Sequence, residues 1–321
     1  GRAVLNASGP WVDRMLEGLE DTSRPRFFYF SKAMNLVTRP IVADVAVGVT
    51  SKRNQILFVI PWRGFSIIGT AHGVYEGDPD DFEAREEDIQ ELLDEVNSGY
   101  PPAKLRREDV RFVHRGLLPM VPQDNNKGVA LVKQYRIHDH RREGLEGLVT
   151  MVGVKYTTAR YVAEKAVTRV FHVLGKKPSP SRTANTPVYG GAIESFSNFL
   201  SQEKKRKPHG LDEEIVRHLV YTYGSVYRRI LAYIDEDPAC AQPVKEGAPV
   251  LRAEVIHAIR EEQATDLASV LLRRTELGSA GHPGSVCLKS CAAIMAGELK
   301  WDDARVSTEI QQVEEIYRCR S

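Results

Sequence analysis

Apolar and polar positions follow three regimes along the chain. At the start, Val4 and Leu5 form a short strand pattern closed by Gly9-Pro10. Trp11, Val12, Met15, Leu16 and Leu19 then recur at helical spacing, predicting a short helix that ends near Gly18. After a polar break at 20–26 the pattern turns to β. The stretch Phe27-Phe28-Tyr29-Phe30 and the segments 34–38, 42–49, 55–61 and 65–70 are rich in branched and aromatic residues, and Arg53-Asn54 and Arg63-Gly64 read as turns between strands. This is the pattern of antiparallel hairpins. Asp78-Pro79-Asp80-Asp81 reads as a helix start, Ile89, Leu92, Leu93 and Val96 make one apolar face, and Gly99-Tyr100-Pro101-Pro102 stops the helix. Two further strands are predicted at 110–117 and 129–137, joined by a polar turn at 123–128. A charged loop at 139–146 leads to the apolar run 148–152, and a helical pattern runs from Thr157 to Leu174-Gly175.

The third regime begins after a stretch holding Pro178, Pro180 and Pro187, with the composition of a linker. Beyond it the helical spacing recurs at 193–203, 212–223, 226–233, 253–262, 266–274, 286–299 and 302–318. The predicted class is therefore α+β: a mostly antiparallel sheet at about 27–137 within residues 1–180, followed by an all-α domain over 181–321.

Composition narrows the function. A chain of 321 residues with 44 Lys and Arg against 43 Asp and Glu has a formal charge of +1, which supplies no field for nucleic acid. No apolar stretch approaches the roughly 18 residues of a spanning helix. The four cysteines, Cys240, Cys287, Cys291 and Cys319, all lie in the last third, too few for a disulfide scaffold, and a reducing cytoplasm is the expected setting. The first residue is Gly1, and no leader pattern follows. The chain reads as a fragment whose natural N-terminus is missing.

Gly153-Val154-Lys155-Tyr156-Thr157-Thr158-Ala159-Arg160 stands between a buried-type strand and a helix. A helix N-terminus offers N–H groups and a positive dipole end to an anion, and two threonines and a lysine add donors. The plainer reading is a threonine cap and a solvated lysine. His114, Arg115, Lys133, Lys155 and Arg160 are cations at predicted strand ends, where one anionic ligand could meet several of them, although any one of them alone reads as a surface charge. His72 follows a strand and could serve as a base near neutral pH, or be a solvated loop residue. The run Lys204-Lys205-Arg206-Lys207 reads as a solvated helix end before Pro208. Cys287, Cys291 and His282 fall short of a zinc pattern and read as packing residues, so no metal site is assigned.

Four segments taken in order resemble the FAD-dependent glycerol-3-phosphate dehydrogenases of the glutathione-reductase-like flavoproteins. Leu5-Asn6-Ala7-Ser8-Gly9-Pro10-Trp11-Val12 is similar to that family's N-A-[ATS]-G-P-W-V element, and Gly153 to Arg160 to its G-G-K-x-T-T-Y-R flavin element. Phe58-Val59-Ile60-Pro61-Trp62 with Phe65-Ser66-Ile67-Ile68-Gly69-Thr70 resembles its substrate-domain hairpin. Thr186-Pro187-Val188-Tyr189-Gly190-Gly191 resembles the join to its helical domain. The resemblance implies remnants of an FAD-binding domain at 4–12 and 148–174, with Ala7, Ser8, Gly9, Gly153, Lys155, Tyr156, Thr157 and Thr158 against FAD. It implies hydride transfer from C2 of sn-glycerol 3-phosphate to the flavin while a base takes the hydroxyl proton, giving dihydroxyacetone phosphate, and electrons passed on to a quinone. Lys155, Lys133, Arg115 and Asn35 would contact this phosphorylated polyol, with His72 and His114 as candidates for the base. Homodimerisation and peripheral contact with the inner face of the cell membrane are compatible with it.

The departures are specific. Lys32-Ala33-Met34-Asn35 stands where the family has K-G-S-H, so Asn35 replaces a histidine and cannot act as a base. Leu118 replaces a phosphate-binding arginine, Lys133 another arginine, Val154 a glycine and Ala159 a tyrosine. The glycine-rich strand-turn-helix that cradles the FAD pyrophosphate is absent from these 321 residues, and the chain alone is expected to bind FAD weakly or not at all. Two alternatives stand beside this reading: a related flavoenzyme acting on another small hydroxy or amino acid, and a non-catalytic protein whose helical half binds a partner.

Overall fold

The computed structural model describes residues 1–19, 29–52, 54–121 and 129–318. The described residues divide into two compact units, one of residues 1–109 with 113–186, the other of 110–112 with 187–318. The strands are β1 (Val4–Asn6), β2 (Tyr29–Thr38), β3 (Val47–Thr50), β4 (Ile56–Trp62), β5 (Phe65–Tyr75), β6 (Val110–Met120), β7 (Arg136–Asp139) and β8 (Leu148–Val152). They form a five-stranded sheet in the order β3-β4-β5-β2-β6 and a three-stranded sheet in the order β1-β8-β7.

The larger sheet contains two of the expected hairpins, β3 with β4 and β4 with β5, while β5 pairs antiparallel with β2 across the intervening strands. Its register aligns Val47 with Val59, Val59 with Ile68 and Ile68 with Leu36. Leu36, Val59 and Ile68 are fully buried, whereas Ile56, Phe58 and Ile60 alternate with Leu57 and Val59 along β4 and are exposed. The period of two thus assigns one face to the interior. Of the helices, α1 (Val12–Glu17) ends at Gly18, and α2 (Glu86–Gly99) buries Ile89, Leu92, Leu93 and Val96. Burial of each of these apolar side chains contributes roughly 2 kcal/mol. Helix α2 stops where Gly99 passes so close to β3 that a Cβ would lie 2.4 Å from the Thr50 carbonyl oxygen.

Several expectations shift. The pattern at 27–38 suggested a break near residue 32, yet β2 is continuous from Tyr29 and absorbs the irregularity as a register shift between Met34 and Asn35. The strand expected from residue 42 begins only at Val47, beyond Pro40, which has no N–H to pair. The turn Pro79–Asp81 replaces the expected helix start, since Phe82 and Arg85 are extended and α2 begins at Glu86. The strand expected at 129–137 forms only at its end, where Arg136 and Ile137 open β7. Leu131 makes an isolated bridge to Met120, and β7 pairs with β8 in the smaller sheet. Alternation along a strand does not say which sheet it joins. Phe27, Phe28, Arg53, Cys319, the polar break at 20–26 and the turn at 123–128 lie outside the described residues.

In the smaller sheet β1 runs parallel to β8 and β7 antiparallel to it. Helix α3 (Ala159–Val173) packs on β1 and β8, burying Val162 and Ala166. The second unit is helical, as its spacing predicts: α4 (Phe196–Arg206), α5 (Glu213–Tyr223), α6 (Arg228–Glu236), α7 (Arg252–Arg260), the short α8 (Leu267–Ser269), α9 (Ser285–Leu299) and α10 (Asp303–Ile316). It holds two cores, one around Val216, Leu219, Tyr227 and Ile230, the other around Val255, Leu267, Leu271, Cys287, Leu288, Cys291 and Met295. Among the described residues no helix is long and apolar enough to cross a membrane.

Candidate functional site

The parallel pairing of β1 with β8 aligns Val4 with Leu148, Leu5 with Val149 and Asn6 with Thr150. The two segments that leave these strands, Ala7-Ser8-Gly9 and Gly153–Thr158, therefore emerge at one edge. The carboxyl ends of parallel strands, followed by a helix start, are where α/β sheets take ligands. Asn6 is 2 % exposed, and its carboxamide organises the first segment. Its Oδ1 accepts from the Ser8 hydroxyl at 2.6 Å and from the Ser8 N–H at 3.2 Å, while its Nδ2 donates to the Val12 carbonyl at 3.4 Å. Gly9 has φ +60°, a conformation open to glycine, and no atom lies within 4 Å of where its Cβ would be.

In the second segment Lys155, Tyr156, Thr157 and Thr158 all face solvent, Tyr156 at 99 %, and Val154 is half-buried. Gly153 likewise has no atom within 4 Å of a Cβ position. Thr158 precedes α3 but its hydroxyl donates to the Lys155 carbonyl at 3.1 Å, and no side chain caps the helix. The threonine-cap reading is thus corrected: the Thr158 and Ala159 N–H groups donate to the Lys155 and Tyr156 carbonyls, and among the described residues no side chain caps the start of α3. Two open glycine approaches, a bare helix start and a lysine suit a flat, phosphate-bearing ligand, and in that respect the residues fit FAD.

Of the remaining candidates, Asn35, His72, His114 and Arg115 lie on strands of the larger sheet. Asn35 pairs with Gly69, and its Oδ1 accepts from the Thr70 hydroxyl at 2.9 Å. His72 on β5 is half-buried; burial lowers its pKa, which favours the neutral ring, and among the described residues its Nδ1 has no hydrogen-bond partner. It lines a cavity of about 220 Å³ with Lys32, Asp88, Glu91 and Glu95. The Lys32 ammonium in that lining is bound to Asp88 at 2.5 and 2.7 Å. His114 on β6 packs edge-on against Trp62 with ring centroids 6.0 Å apart. Arg115 and Lys133 are exposed, Lys133 outside any strand. Arg160 is held by Glu164 at 2.8 Å and Thr183 at 3.1 Å. Of the candidate cations only Lys155 and Arg160 belong to the segment that resembles a flavin element.

Comparison with known proteins decides the family. Residues 1–164 match the family described as FAD dependent oxidoreductase, and residues 181–306 the C-terminal domain of alpha-glycerophosphate oxidase. The chain belongs to the FAD dependent oxidoreductase family. FAD is the cofactor of this family, and relatives of the chain within it carry one enzyme name. A glycerol-3-phosphate dehydrogenase of Synechocystis is 27 % identical over 97 % of this chain and 58 % of its own length. Glycerol-3-phosphate dehydrogenase 2 of Mycobacterium bovis is 30 % identical over 97 % of this chain and 52 % of its own. The chain thus spans about half the length of these relatives. Among solved structures, the Bacillus halodurans glycerol-3-phosphate dehydrogenase complexed with FAD superposes with a TM-score of 0.80 at 24 % identity, covering 98 % of this chain and 62 % of that one, which shows a common fold.

The sequence reading missed the part played by Asn6 within its own motif. The signal was an asparagine at a strand end two residues before a serine, a spacing suited to a side-chain turn. It also missed Lys32 with Asp88, whose partners are brought together from separate elements.

Proposed function

We propose that the natural protein containing this chain oxidises sn-glycerol 3-phosphate to dihydroxyacetone phosphate with FAD as hydride acceptor. The observation that carries the reading is the emergence of Ala7-Ser8-Gly9 and Gly153–Thr158 at one edge of paired parallel strands, beside the uncapped start of α3. Relatives that bear this enzyme name over 97 % of the chain support it. FAD, when bound, supplies the hydride acceptor. Asn6 holds the Ser8 turn in shape, and Lys155 with the positive end of α3 stabilises negative charge brought to that edge. The substrate phosphate is assigned in this reading to Lys155, Lys133 and Arg115. The neutral His72 ring is suited to accept the hydroxyl proton, with His114 as the other candidate. A quinone acceptor, a homodimer and a cytoplasmic protein resting peripherally on the inner face of the membrane complete the proposal.

The test uses the natural gene product supplied with FAD. It is expected to reduce a dye acceptor with glycerol 3-phosphate, and Lys155→Met to lower kcat/KM roughly 10–100-fold, the effect of losing a charge-assisted contact. A preparation with the flavin absorbance but no turnover would overturn the substrate; one that takes up no flavin would overturn the cofactor assignment. A second reading, a carboxylate substrate such as a small hydroxy or amino acid, is favoured by Asn35, whose amide is engaged by Thr70, and by Leu118. Turnover of a carboxylate in preference to the phosphate ester would select it.

A further inference from the structure

The smaller sheet carries a group that the flavin reading leaves unused. His138 lies on β7 opposite Thr150 of β8, and His140 follows two residues later, with ring centroids 4.5 Å apart. The Asp139 carboxylate accepts the Arg141 N–H at 3.0 Å, and Gly144 at φ +82° closes the turn, returning Glu143 over both rings. One Glu143 oxygen lies 2.5 Å from His138 Nε2, the other 2.5 Å from His140 Nδ1. His140 is 1 % exposed, and its Nε2 is 2.8 Å from the hydroxyl of Thr150, itself fully buried.

We propose that His138, His140 and Glu143 form a zinc site that ties the end of β7 to the turn after it. The three ligand atoms all lie within 4.8 Å of one another. Tetrahedral zinc with bonds of about 2.0–2.1 Å separates its ligands by about 3.3 Å. Glu143, 37 % exposed in its side chain, has room to withdraw by that difference. Two imidazoles and a carboxylate are a zinc donor set, whereas magnesium and calcium take oxygen shells. Without metal each ring N–H faces the carboxylate. On binding, the His140 ring proton moves to Nε2 and is accepted by Thr150, which fixes the ring, and the His138 ring proton moves to Nδ1. Nothing is oxidised or reduced, and water completes the coordination. Asp139 is engaged by Arg169 at 2.9 Å and stays outside the ligand set.

The test titrates zinc into the tag-free full-length protein in a Cys319→Ser background, in competition with a chromophoric chelator. One zinc per chain is expected, bound at least 10-fold more weakly by His138→Gln and by Glu143→Gln, while His282→Gln, in the other unit, binds as the parent does. Zinc is also expected to raise the thermal midpoint of the parent and not of the two ligand variants. Equal affinity in parent and ligand variants, or a parent that cannot hold zinc against the chelator, overturns the site.

Discussion

Asn35 and Gly69 act as a matched pair. A Cβ at Gly69 would lie 2.0 Å from Asn35 Oδ1 and 2.9 Å from its Cγ, so the asparagine leans over a position that only glycine can leave empty. Gly69→Ala is therefore expected to cost about 2 kcal/mol, the scale of overpacking in a filled site. Asn35→Ala in the same molecule removes the two closest contacts, leaving the Met34 carbonyl oxygen at 3.1 Å, and should recover part of that loss, as denaturant midpoints would show; an additive double variant would contradict the pairing. Asn35 is legible in the sequence as a residue that cannot serve as a base. That its amide is held by Thr70 is not, because the partner lies on another strand and enters only through the register of β2 with β5.

At the scale of elements, periodicity placed the strands of the hairpins and the helices α2, α3 and α9 close to where they stand, since which face is apolar is a local property. The basic run at 204–207 is the solvated helix end it was read as: Lys204 reaches Glu213 at 3.1 Å and Arg206 reaches Glu203 at 2.9 Å. The sequence did not disclose that Glu203, one residue before that run, is buried at 2 % exposure. It accepts from the Tyr227 hydroxyl and from Arg228 at 2.8 Å, tying α4 to α6. Its pKa is lowered: burial acts in the other direction, and the bonds to Tyr227 and Arg228 outweigh it. Glu203→Ala leaves a buried hydroxyl and two guanidiniums without their acceptor and is expected to cost about 2–4 kcal/mol, read as a lower thermal midpoint. Glu203→Gln, which keeps an acceptor, should lose less.

For the whole molecule, the cysteines bear on both its chemistry and its packing. Cys240, Cys287 and Cys291 are free thiols with exposures of 4 %, 0 % and 0 %. Cys287 and Cys291 lie in the core with Leu288 and Met295, and His282 turns away to Glu314 at 3.1 Å, so the packing reading of these residues holds. The hydrogen bond that the Cys291 thiol donates to Cys287, together with burial, pushes the Cys291 thiol up, which keeps it from reacting as a thiolate. Alkylation followed by peptide mapping should find these three unlabelled in the native protein and fully labelled in denaturant; rapid native labelling of Cys287 or Cys291 would contradict the packing of α9.

The sequence by itself determined the helices of the second unit, the hairpins of the first and the order of the flavin-type segments, because each depends on spacing within a few residues. Only the tertiary structure decided that Val4 pairs with Leu148, so that two distant segments open at one edge, and that 136–139 joins the smaller sheet. It alone brought Glu143 over two imidazoles and left the start of α3 uncapped. These outcomes rest on long-range register and on which groups pair after packing, and no local period encodes either.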